Sequence, residues 1–81
     1  MIRFRFNRFS DQFLPDMLPS ESVRFAVCVN PDLFSTARDY KSYEYKVGHT
    51  RLATAIIAAG AYLTLGYSVV ISCRDTRELL A

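Results

Sequence analysis

The chain has 81 residues, 51% of them hydrophobic and 14% aromatic, and a formal net charge of +2. That length allows one domain with a thin core, and the apolar content argues against disorder. The small charge does not by itself imply a nucleic-acid partner, and two cysteines make no disulfide scaffold.

Residues 2–9, "IRFRFNRF", alternate. Ile2, Phe4 and Phe6 fall on one face and Arg3, Arg5 and Asn7 on the other, the pattern of a half-buried strand with Phe4 and Phe6 turned inward. The same alternation lacks the basic patch and apolar run of a secretory signal, so a reducing, cytoplasmic setting is expected. Residues 10–21, "SDQFLPDMLPSE", read as a loop with at most one helical turn. Its Phe13, Leu14, Met17 and Leu18 are too apolar for a loose linker and are expected to lie against the body. Residues 22–29, "SVRFAVCV", form a second strand. Val23, Phe25, Val27 and Val29 share one face, and the small Ala26 and Cys28 on the other imply cover from both sides.

"NPDL" at 30–33 is a stop, with Asn30 able to cap a short helix over 31–38 and a tight turn as the competing reading. Residues 42–47 form a third strand, with Tyr43, Tyr45 and Val47 set against Ser42, Glu44 and Lys46. Gly48 breaks it, and Thr50 is placed to cap a helix running to about Leu65. Leu52, Ile56, Ala59 and Leu63 make the stripe of that helix, with Ile56 central and buried.

From Leu52 to Cys73 there are 22 residues without a charge, flanked by Arg51 and Arg74. As one helix they would span about 33 Å, enough for a bilayer core. Three features favour a helix followed by a strand. Five of the residues are alanine, which keeps the hydrophobicity modest. Gly66 sits where a helix ends in a left-handed residue, and the β-branched "YSVVISC" follows it. The upstream strands need a partner to cover them. A last helical turn is expected from Asp75.

Runs of strands with one long helix predict an α+β fold: a three- to four-stranded, mainly antiparallel sheet with a helix at about 50–65 across one face, in a single domain over 1–81. Ile57, Ala58 and Ala61 leave the back of that helix uncharged. It must be sandwiched by the apolar 13–18 loop or meet another chain, which makes helix 52–65 a candidate oligomer surface.

No arrangement of side chains announces catalysis. His49 is the only histidine. It has no paired acid or nucleophile at a recognisable spacing, and with Cys28 and Cys73 it does not form a zinc site. The glycines fit no phosphate loop. The expectation is therefore a protein that is not an enzyme and uses neither cofactor nor metal. Cys28 and Cys73, each central in a strand, are expected to be buried free thiols, and would be neighbours if their strands pair side by side.

Two surfaces are candidates for binding. Tyr40, Tyr43 and Tyr45 among Arg38, Lys41 and Lys46 are residue types that anchor protein interfaces. Arg3, Arg5, Arg8 and Arg24 could meet phosphates or an acidic partner, although charge on an edge strand gives the same pattern without any ligand. The favoured reading is a small non-catalytic protein that binds a protein partner as a modulator or inhibitor. Anti-CRISPRs and other anti-defence inhibitors of phages and mobile elements are an analogy of size and type, and not of residues. A nucleic-acid-binding module using the basic strand is the alternative. A single-span membrane protein is a second alternative, and membrane contact is disfavoured.

Overall fold

The computed structural model describes residues 5–75. Four strands, β1 (Arg5–Arg8), β2 (Phe25–Val29), β3 (Glu44–His49) and β4 (Val69–Cys73), form one sheet in the order β1-β4-β2-β3. β2 runs antiparallel to both β3 and β4, and β1 is parallel to β4. A four-residue helix, α1 (Phe9–Gln12), follows β1 directly, and the long helix α2 (Leu52–Thr64) joins β3 to β4. The fold is thus the expected α+β arrangement, with a mostly antiparallel sheet and α2 packed on it.

β2 and β4 are the central strands, and every residue in both is buried. Alternation divides their side chains between two cores. Phe25, Val27, Val29, Val69, Ile71 and Cys73 face α2, where they meet Ala55 and Ala59. Ala26, Cys28 and Val70 face the other way, beneath Phe9 and Tyr43, with Phe13, Val23 and Tyr40 around them. The small side chains of β2 therefore mark a covered face, as their size implied. Val23 precedes the strand and packs on this second side, so it does not share a face with Phe25. β4 pairs with β2, but Cys28 and Cys73 lie in opposite cores and are not neighbours.

α2 meets the sheet through its smallest residues. Ala55 and Ala59 are fully buried, flanked by the partly buried Leu52, Ala58, Tyr62 and Leu63. Short side chains let the helix backbone approach the branched residues of β2 and β4. This rotates the helix from its expected setting: Ile56 is 37% exposed and Ile57 is 74% exposed, so Ile56 is not the buried centre. Thr50 is not the cap either. Arg51 is the extended N-cap residue and has no side-chain cap bond, while its carbonyl accepts from the Ala55 N–H at 3.2 Å and the Thr54 hydroxyl at 3.0 Å.

The far end of α2 closes as its sequence predicts. Gly66 has φ +97°. Its N–H donates to Leu63 O at 2.9 Å and that of Tyr67 to Tyr62 O at 3.2 Å. These are the two bonds of a Schellman closure, and the Tyr62 and Tyr67 rings supply its apolar contact at 6.1 Å. Among the described residues no helix is long and apolar enough to cross a membrane.

Several local expectations are corrected. β1 covers less than 2–9 among the described residues, and Phe6, although opposite Ile71, is 39% exposed because β1 is an edge strand outside the cover of α2. Asn7, expected outside, is buried because α1 folds back over the second face. The segment over 31–38 contains no helix; the Asn30 side chain instead accepts from the Asp32 N–H at 2.9 Å to make a turn. In β3, Tyr45 lies opposite Cys28 and Val47 opposite Val27, which leaves Lys46 as the extra residue of a bulge. Tyr45 and Val47 consequently occupy different faces. Gly48 returns the chain to the second face, where an added Cβ would lie 2.7 Å from Val23 Cγ1 and would also meet the Tyr45 hydroxyl. The 13–18 segment lies on that second face, so it does not sandwich α2. Only Phe13 packs well; Leu14, Met17 and Leu18 are 51%, 63% and 45% exposed. The turn expected from Asp75 lies outside the described residues.

Candidate functional site

The second face is built on a buried chain of polar groups. The Ser72 hydroxyl donates to Asn7 Oδ1, Asn7 Nδ2 donates to Gln12 Oε1 at 3.3 Å, and Gln12 Nε2 donates to Tyr43 O at 3.1 Å. This chain ties β4, β1, α1 and the entry to β3 together. Above it, the Tyr43 hydroxyl donates to Ala37 O at 3.0 Å and accepts from the Arg5 guanidinium. Arg5 also lies 5.5 Å from the ring centres of both Tyr40 and Tyr43. Burial pushes the Cys28 thiol beneath this layer from its ordinary 9.0 up to about 12, partly opposed by its hydrogen bond with Ser72.

The proposed tyrosine and basic cluster is divided by this construction. Tyr43 is 4% exposed and belongs to the core, so it offers no partner contact. Its polar links to Ala37, Arg5 and Gln12 and its packing, invisible to strand alternation, draw it inward. Tyr40 is half-buried on the Tyr43 ring at 6.1 Å. Arg38 and Lys41 are exposed in the connection before β3, where the Lys41 N–H is held by Asp39 Oδ1 at 3.0 Å. Tyr45 is 42% exposed, with its ring edge on Phe13 at 5.8 Å. Lys46 pairs with Glu44 at 3.3 Å in solvent.

Lys41, Tyr43 and Tyr45 nevertheless line one cleft of about 420 Å³, together with Gln12, Phe13, Leu14, Met17 and Glu44. Tyr43 forms its floor. Leu14 and Met17 complete its apolar rim and were missed as site residues. Their signal was in the sequence: apolar side chains in a Pro-punctuated segment that makes a 3-10 turn at Pro15–Met17 and cannot bury them all. A second cleft of about 430 Å³ lies between α1 and the end of β4. There Arg74 stacks 4.9 Å from the Phe9 ring centre and donates to Val23 O, Pro19 O and Ser20 O at 2.9, 3.1 and 2.8 Å. It fastens the 13–24 segment to the sheet.

The arginines do not assemble into one basic row. Arg3 lies outside the described residues. Arg5 is engaged with the tyrosines, and Arg8, three residues on, pairs with Asp11 at 3.4 Å. Arg24 is half-buried where β2 begins, its N–H donating to His49 O at 3.0 Å. Among the described residues, no three His, Cys, Asp or Glu side chains are grouped to hold a metal ion. No protein-family model, curated protein or solved structure matches this chain.

Proposed function

We propose that this chain is a non-catalytic binding protein that modulates or inhibits a protein partner through the aromatic cleft of its second face. The observation that carries this reading is the rim: Leu14, Met17 and Tyr45 stand 42–63% exposed around one cleft. Apolar side chains of this size, clustered on a soluble surface, favour contact with another macromolecule. Tyrosine supplies rigid contact area and methionine adapts to the shape presented to it. Lys41 lies at the same rim, with Arg38 and Lys46 on neighbouring segments. The complementary ligand is an apolar anchor flanked by acidic residues, which basic groups at the rim would steer and orient.

Nucleic acid fits the arrangement less well. Phosphate contacts need cations in a row, and Arg5 and Arg8 have internal partners. The aromatic rings that could stack on bases are edge-packed on one another.

The test is affinity capture with the whole chain from candidate host lysates, followed by titration of the captured protein. Tyr45→Ala or Met17→Ala should weaken binding by about 2 kcal/mol for a true anchor, and Lys41→Glu should slow association. A partner captured equally by parent and cleft variants would refute this site. Tight binding to DNA or RNA at physiological salt, lost when Arg5 and Arg8 are replaced, would favour the nucleic-acid reading.

A further inference from the structure

Building on the binding role proposed above, on which this inference rests, we propose that the partner presents an extended segment. It adds to the free edge of β3 as a further strand and sends side chains into a cleft on each face of the sheet. β3 lies at the edge and, among the described residues, pairs with β2 alone. Its residues divide between two clefts. Glu44 and Tyr45 line the aromatic cleft of about 420 Å³ on the second face. Val47 and His49 line a groove of about 390 Å³ on the opposite face, across from Ala58, Ala61, Tyr62 and Leu65. One strand thus walls a recess on either side of the sheet.

That arrangement selects the occupant. A helix or a folded surface laid on one face of the sheet reaches one cleft. An extended chain beside β3 projects successive side chains to opposite faces and so reaches both, while its main chain meets the unpaired groups of the edge. The clefts are displaced along β3 by about three residues, or about 10 Å. An odd spacing of this kind turns two ligand side chains to opposite faces. The bulge at Lys46 and its charge discourage a second β3 from pairing there. Between Arg38 and Arg51 the cations are Arg38, Lys41, Lys46 and Arg51, and the carboxylates are Asp39 and Glu44. Both carboxylates are engaged, Asp39 by the Lys41 N–H and Glu44 by the Lys46 ammonium. The surplus positive charge is complemented by acidic residues around the ligand's anchors.

The groove beside α2 specifies its own anchor. Its lining holds no carboxylate, ammonium or guanidinium, yet the His49 Nε2 is buried there without a hydrogen-bond partner. A buried polar atom left unpaired costs free energy, which a ligand recovers by pairing it. A tyrosine side chain meets both conditions. Its ring packs on Val47, Ala58, Ala61 and Leu65, and its hydroxyl, able to donate and to accept, suits either tautomer of the imidazole.

The probe is a library of random short peptides displayed on phage and selected on the whole chain. Enriched peptides should carry an apolar residue and a tyrosine at that odd spacing, with acids beside them. The strongest is synthesised and titrated. Met17→Ala at the aromatic cleft and Ala61→Arg at an exposed position of the α2 groove should each raise its Kd at least about thirtyfold, with circular dichroism verifying both folds. Replacing the peptide's tyrosine with phenylalanine should weaken binding to the parent about tenfold and leave binding to His49→Phe unchanged. Methylating the peptide's amide nitrogens one at a time should cost at least about tenfold at alternate positions and little between them, the period of a paired strand. Losses at Met17→Ala with none at Ala61→Arg, and no such period, would overturn the added strand while keeping the aromatic cleft. Indifference to both variants would overturn the cleft as well. Enrichment of no peptide would overturn the proposal. So would a parent that sediments alone at twice the monomer mass and becomes monomeric as Ala61→Arg, which would give the groove to a second copy.

Discussion

Replacing Asn7 with alanine would break the polar chain of the second face at its centre. Ser72, fully buried, would lose the acceptor of its hydroxyl, and Gln12, 6% exposed, would lose the donor to its Oε1. A buried group left without a partner costs about 1–3 kcal/mol, so two such groups predict a loss of about 2–6 kcal/mol. An 81-residue domain has on the order of 4–12 kcal/mol in all. Thermal unfolding followed by circular dichroism should therefore show Tm falling by roughly 10 °C or more. Ser72→Ala alone should cost about 1–2 kcal/mol, since Asn7 keeps its bond to Gln12. The decisive measurement is the double variant. Once Asn7 is gone, the Ser72 hydroxyl is a liability, and removing it should recover part of the loss. A coupling of about 1–2 kcal/mol is expected from urea titrations of the four proteins. Additive losses within about 0.5 kcal/mol would refute the chain as a cooperative unit.

Ala59→Leu should destabilise by about 1–3 kcal/mol or more, because the enlarged side chain meets buried residues of β2 and β4 across a closely packed helix; a parent-like urea midpoint would contradict that packing. Ile57→Ala should change monomer stability by no more than about 0.5 kcal/mol, measured at concentrations below any association. Gly66→Ala places a Cβ at φ +97° against the Phe34 ring and should cost at least about 1 kcal/mol by thermal melts. Cys28 links stability to alkaline pH: its folded value of about 12 lies above the ordinary 9.0, so the unfolded chain releases its proton first. Stability contributed by the neutral thiol is full below pH 9 and declines between pH 9 and 12, by up to about 1.4 kcal/mol per pH unit. Urea midpoints of the parent should fall more steeply over that range than those of Cys28→Ala, and parallel curves would count against the shift.

The parts of this protein legible in its sequence are those governed by neighbours along the chain. The alternation of "FAVCV" gives a strand, and its small residues show that both faces are covered. Gly66 ends α2 because a left-handed residue there costs glycine little, whatever packs nearby. A strand composition after it argues against the 52–73 stretch being one continuous helix. Tertiary structure decided what local pattern cannot encode. Ala55 and Ala59, rather than Ile56, face the sheet because close approach of the backbones outweighs the larger side chain. The bulge at Lys46 separates Tyr45 from Val47 because β3 carries one residue more than the β2 stretch it pairs with, which shifts the alternation by one. Tyr43 turned inward because Arg5, Gln12 and Ala37, at separations of 38, 31 and 6 residues, supply partners for its polar groups. Phe34 is left-handed because Gly66, distant in sequence, holds its N–H. Each of these outcomes depends on long-range contacts, and their energies exceed the local preferences they override.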